Sequence, residues 1–137
     1  MSRVIHTDSP GKRRNQLMRT GAELLRHLSQ KETVDEETKD MLALLVYTLR
    51  EIADGIEEST VAWEKRNYWI KIEEFRQNWL WARQSASELE TLLVRGNWPT
   101  LPTVLVRILP HFSDIKVTKF TRGESLWQGC YATLLEE

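Results

Sequence analysis

The sequence predicts an all-α chain, mainly an up-down-up three-helix bundle with a long third helix, and three runs of spacing carry that prediction. Apolar or small side chains recur at alternating intervals of four and three residues from Tyr68 to Leu93. A second run repeats in the same way from Leu42 to Ile56, and a third from Leu17 to Leu28. A strand would alternate every two residues, so each run describes the sticky face of a helix. Such a face needs a partner, inside the chain or outside it.

Residues 1–8 read as a flexible tail. Ser9 followed by Pro10 is a helix start, because Ser caps and Pro fits the first helical position. The first helix then covers 10–29, with Leu17, Gly21, Leu24 and Leu28 on its seam and Met18, Ala22 and Leu25 beside it. Thr33 and Glu36 have the capping-box spacing, and Asp35, Glu36 and Glu37 suit the positive end of a helix dipole. The second helix covers 34–57, with Leu42, Leu45, Leu49, Ile52 and Ile56 widened by Met41, Val46 and Ala53.

Around Gly55–Thr60 the two long seams fall out of phase. The second would continue to Trp63, whereas the third extrapolates back through Val61. Gly55 and Ser59-Thr60 offer a stop and a cap, so the sequence predicts a tight turn there, with one bent helix over 34–95 as the alternative. The third helix carries Tyr68, Ile72, Phe75, Trp79, Ala82, Ala86, Leu89 and Leu93 and ends at Arg95 before Gly96-Asn97 and Pro99. At about 1.5 Å per residue it is on the order of 50 Å long.

Residues 97–137 form a cover segment. Trp98 to Pro102 is turn-rich, Pro102 to Leu109 a short apolar helix with Thr100 as its cap, and Pro110 its end. Asp114 to Phe120 alternates and is partly β-branched, which fits a short strand. Ser125 to Leu135 fits a last helix weakened by Gly129, and a hairpin turning at Arg122-Gly123 is the alternative. No internal repeat of roughly 20 to 50 residues appears.

The 137 residues suit one domain with a sizeable core, and 28% charged against 41% hydrophobic residues is ordinary globular usage. A formal net charge of −1 gives no global pull toward nucleic acid or an anionic membrane. The distribution is uneven: residues 1–31 balance to +5 and residues 32–58 to −7. Neighbouring segments of opposite sign either neutralise each other or leave a basic N-terminal arm for an anion. One cysteine, Cys130, excludes a disulfide-stapled secreted domain. There is no signal-peptide pattern and no apolar run near the roughly 20 residues that span a bilayer, so the expectation is a cytoplasmic protein with no membrane role.

Catalytic and cofactor motifs are missing, and no catalytic, metal or cofactor-binding residue is assigned. His6, His27 and His111 fall in separate segments without the Glu-x-x-His pairs of a di-metal bundle. Cys130 has no nearby base in sequence and reads as a small buried hydrophobe. No phosphate-binding loop, dinucleotide fingerprint or nucleophile elbow occurs.

Surfaces remain. Four of the six tryptophans lie between 63 and 81. Trp79 belongs to the seam, while Trp69 and Trp81 fall off it. Leu44 and Tyr47 lie away from the second helix's seam and make its apolar arc wider than one stripe, so either the C-terminal segment or another chain covers them. The expected function is a non-enzymatic interaction protein, a small subunit or homo-oligomer, burying Leu44, Tyr47, Trp69 and Trp81 against another protein chain. The alternative is a nucleic-acid-binding accessory subunit. It would use Lys12, Arg13 and Arg14, whose charge opposes the dipole at a helix start. It would also use the Arg66, Trp69, Arg76 and Arg83 face, where guanidinium groups suit phosphates and an indole suits a base. A third expectation, an aromatic pocket of Trp63, Tyr68 and Trp79, lacks a polar group to fix a ligand.

Overall fold

In the computed structural model, which describes residues 9–137, the Ser9 hydroxyl accepts the Lys12 amide at 3.2 Å and Pro10 takes the first helical position. Helix α1 spans Pro10–Ser29, as its seam predicts. The expected tail at 1–8 lies outside the described residues. Helix α2 spans Glu36–Glu64 and is capped by Asp35 instead of Thr33: the Asp35 carboxylate accepts the Thr38 amide at 2.8 Å. Helix α3 spans Trp69–Arg95 and closes on Gly96, whose φ of +65° is the left-handed conformation that glycine adopts without a Cβ penalty.

The turn predicted at Gly55–Thr60 is not there. Gly55 sits inside α2, and Thr60 is buried with its hydroxyl donating to the Glu57 carbonyl at 2.8 Å. A threonine that bonds back one turn stays within a helix at little cost, so the stop signals were outweighed by continued burial of Ile56 and Thr60. The chain turns at 65–68 instead. Asn67 takes φ +60°, which asparagine tolerates better than most side chains, and the Tyr68 amide donates to the Trp63 carbonyl at 3.2 Å. That turn also separates α2 from α3, so a continuous helix over 34–95 is excluded. The phase slip is absorbed here: Tyr68, first member of the long seam, is 46% exposed, whereas Ile72, Ala82, Ala86, Leu89 and Leu93 are buried.

Ion pairs tie the long helices together. Arg13, near the start of α1, meets Glu58, near the end of α2, at 2.6 Å. Along α2 and α3, Arg76 reaches Glu57 at 3.3 Å, Arg83 reaches Asp54 at 2.6 Å, and Glu90 pairs with Arg50. Between them lies one core built from all three helices and from Leu101, Val104, Ile108, Phe112, Trp127 and Leu134 of the cover segment.

Among the described residues there is no strand. The cover segment is a 3-10 turn at Trp98–Thr100, α4 (Leu101–Ile108), a 3-10 turn at Leu109–Phe112, α5 (Glu124–Trp127) and α6 (Cys130–Leu135). Thr100 makes no side-chain cap; its hydroxyl donates to the Asn97 carbonyl. The alternating run 114–120 is an irregular strap, because no second strand offers it an edge. The expected last helix is split at Gly129, where φ is +83°.

One glycine is required by packing. Gly21 is buried on α1, and a Cβ there would stand 2.5 Å from Cε1 of the buried Phe112 ring. Gly21→Ala therefore costs about 1–3 kcal/mol through overpacking, more than its gain in helix propensity. A methyl group at Gly55 would meet nothing within 4 Å, so Gly55→Ala stabilises α2 by about 0.5–1 kcal/mol. Chemical denaturation of the two variants should give midpoints displaced in opposite directions from the parent; a shift of Gly55→Ala to lower denaturant would refute the helical assignment there.

Candidate functional site

Moving the turn to 65–68 puts three large apolar side chains into the cap and first turn of α3, past the reach of the core. Tyr68, Trp69 and Ile70 are 46%, 58% and 77% exposed, and Val61 in the closing turns of α2 is also exposed. No side chain caps α3. The Lys71 ammonium sits 5.8 Å from the Tyr68 ring centroid, a distance at which a cation is drawn to the ring face. Beneath this tip Trp63 and Phe75 are half-buried with ring centroids 4.9 Å apart.

The other three expected interface residues are engaged within the chain. Leu44 and Tyr47 are half-buried against the core, and the Tyr47 hydroxyl donates to Glu137 at 2.6 Å. Burial and this carboxylate push the Tyr47 phenol up to about 12, and the same bond, with Arg50, holds Glu137 low. The C-terminal segment thus covers the wide arc of α2. Trp81 is half-buried, stacked on His111 at 4.0 Å and edge-on to Phe112 at 5.6 Å. Of the four residues, Trp69 stays exposed.

The basic residues are also mostly spent. Of the acids that open α2, Glu37 pairs with Lys31 and Glu36 with Lys39. Glu58, near the other end of α2, was overlooked and takes Arg13 on both carboxylate oxygens. The Lys12 amide donates to Ser9. The Arg14 guanidinium lies over the rings of Phe75 and Trp79, 5.0 and 5.3 Å from their centroids, and burial lowers its pKa. Arg76 and Arg83 bridge to α2 carboxylates, while Arg66 is exposed with no carboxylate in ion-pair range among the described residues.

Trp63, Tyr68 and Trp79 do not converge: Trp63 meets Phe75, Trp79 lies between Arg14 and Trp81, and Tyr68 is at the tip. Among the described residues no group of three or more His, Cys, Asp or Glu side chains is placed to hold a metal. Burial, with the Asp40 charge, pushes the Cys130 thiol up, away from the reactive thiolate.

A buried acid went unread in the sequence. Glu23 is 3% exposed on α1 and accepts from the Thr121 amide (2.6 Å), the Thr121 hydroxyl (2.7 Å), the Arg122 amide (3.0 Å) and the Arg122 guanidinium (2.7 Å). The same guanidinium donates to the Thr20 hydroxyl and the Gln16 carbonyl, and His27 stacks on Phe120 at 3.7 Å. Gln16, Thr20, Glu23 and His27 follow helical spacing beside the apolar seam, the signal that would have revealed a docking stripe for the strap. Asp40 plays a similar part on α2, accepting the amides of Gly129 and Tyr131 at 3.2 and 3.0 Å.

No known protein family, curated protein or solved structure matches this chain.

Burial alone would raise the Glu23 pKa, but its hydrogen bonds to Arg122 and Thr121 outweigh burial and lower it from 4.5 to about 2. The folded carboxylate refuses a proton that the unfolded chain accepts below about 4.5. Its stabilisation, about 3 kcal/mol, is complete above that pH and disappears as pH falls through 2. Denaturant titrations from pH 7 to 2.5 should show this loss. Glu23→Gln should lower stability at pH 7 by about 2–4 kcal/mol, since Arg122 then lacks its counter-charge, and should flatten the acid slope. An unchanged slope would mean that the clamp does not form.

Proposed function

We propose that this chain is a non-enzymatic helical-bundle interaction protein, a small subunit or homo-oligomer, that docks another protein chain through the tip where α2 turns into α3. On this reading the three long helices are an up-down-up scaffold, residues 97–137 cover it, and the location is cytoplasmic. The observation that carries it is the exposure of Tyr68, Trp69 and Ile70 in succession, with Val61 at the same end. Large apolar side chains each gain about 1.5–3 kcal/mol when fully removed from water, and Trp and Tyr are the usual anchors of protein interfaces. Leu44, Tyr47 and Trp81 then act indirectly, by holding the cover segment in place.

Nucleic-acid binding draws less support, because Arg13, Arg76 and Arg83 already have carboxylate partners that a phosphate would have to displace. It predicts quenching of tryptophan fluorescence by single-stranded oligonucleotide that weakens steeply with salt.

Light scattering on the purified protein at micromolar concentration should give a mass above that of the monomer, or a mass that includes a co-purifying protein. Trp69→Ser with Ile70→Ser, both at exposed positions, should return a monomer with unchanged helicity. A monomeric parent without a partner would overturn the proposal, as would an assembly that survives the double substitution.

A further inference from the structure

We propose a second site, for a single-chain fatty carboxylate, in the groove between α1, the Leu109–Phe112 turn and the strap. The groove has a volume of about 840 Å³, within the range of small-molecule sites. Leu25, Leu109, Phe112, Ile115 and Val117 line it, and Arg26 and Lys116 are its charged members. The chain has 20 acidic residues, yet none lines this groove. Arg26 and Lys116 are both exposed, and neither has a carboxylate in ion-pair range among the described residues. An apolar trough with unpaired cations calls for an apolar body with an anionic head.

The remaining polar side chains narrow the ligand further. Ser29 and Ser113 are the hydroxyls of the lining, and each donates to its own helix or turn, to the Arg26 carbonyl at 2.6 Å and the Pro110 carbonyl at 2.9 Å. No side-chain amide lines the groove. A peptide backbone would find few hydrogen-bonding side chains there, whereas an alkyl chain needs none. The walls are fixed independently of any ligand. Phe112 is seated on Gly21, and the strap that carries Ile115, Lys116 and Val117 is pinned downstream by Glu23. A preformed apolar trough avoids the cost of ordering its walls on binding.

Isothermal titration of the full chain with decanoate below its micellar concentration should show one saturable site, with 1-decanol about tenfold weaker. Arg26→Gln combined with Lys116→Gln should erase the difference between acid and alcohol. Leu109→Asp, at a position already 46% exposed, should abolish decanoate binding with the circular dichroism unchanged. Ile70→Ser, at the tip, should leave binding intact. No saturable heat, equal affinity for acid and alcohol, retention of binding in Leu109→Asp, or its loss in Ile70→Ser would each overturn the proposal. So would co-sedimentation with phosphatidylglycerol vesicles in the absence of decanoate binding, which would point to a lipid surface.

Discussion

A carboxylate carried into the interior on the first helix constrains the rest of the molecule. Removing Glu23 from water costs several kcal/mol, and that cost is offset only when the amides, hydroxyl and guanidinium of Thr121 and Arg122 arrive. The strap therefore has one position that leaves no charge stranded. Once it is placed, Phe120 comes to stack on His27, and Trp127 meets the edge of the same imidazole at 5.2 Å. Asp40 and Glu137 repeat the device further along the cover segment, one accepting the amides that open α6, the other tying Tyr47 and Arg50 to the residues that follow it. An irregular, mostly exposed cover segment is thus located by charge and hydrogen bonding as much as by its few buried apolar residues.

The charged residues of α2 find a similar use. Arg13–Glu58 on one side, and Arg76–Glu57, Arg83–Asp54 and Arg50–Glu90 on the other, lie between helices instead of along one. Exposed pairs of this kind contribute little stability, below about 1 kcal/mol each. Their effect is on register, since sliding α3 along α2 by one turn would set arginines against the wrong neighbours. The same pairing explains why basic residues that looked available to an anion are occupied.

Helix seams were legible because burial acts on every third or fourth residue and leaves a periodic trace. Pro10–Ser29 and the close of α3 at Gly96 follow from such local chemistry. The turn between α2 and α3 was misplaced by about ten residues because Gly55, Ser59 and Thr60 resemble a stop, whereas Asn67 is one inconspicuous residue in a left-handed conformation. Glu23 is harder to read: it belongs to the spaced stripe Gln16, Thr20, Glu23 and His27, but its partners Thr121 and Arg122 are far along the chain and the stripe does not name them. The alternation of 114–120 misled because a strand is defined by a neighbour that this fold does not supply. Of the interface residues, Trp69 was found by its departure from the seam; Ile70, at 77% the more exposed of the two, was not singled out because its exposure follows from where the turn falls.

The tip and the groove differ in what the fold asks of them. Phe112 in the groove is buried and holds the cover segment against Gly21, so that wall has a structural duty whatever it binds. Trp69 and Ile70 have none of that duty: no core residue depends on them, and α3 starts without a side-chain cap that they could protect. Charged or polar residues at 69 and 70 would serve the isolated helix as well and would remove a liability to aggregation. Trp69 and Ile70 are thus large apolar residues, 58% and 77% exposed, that the fold does not need, and that is the ground on which we propose a docking surface at the turn between α2 and α3.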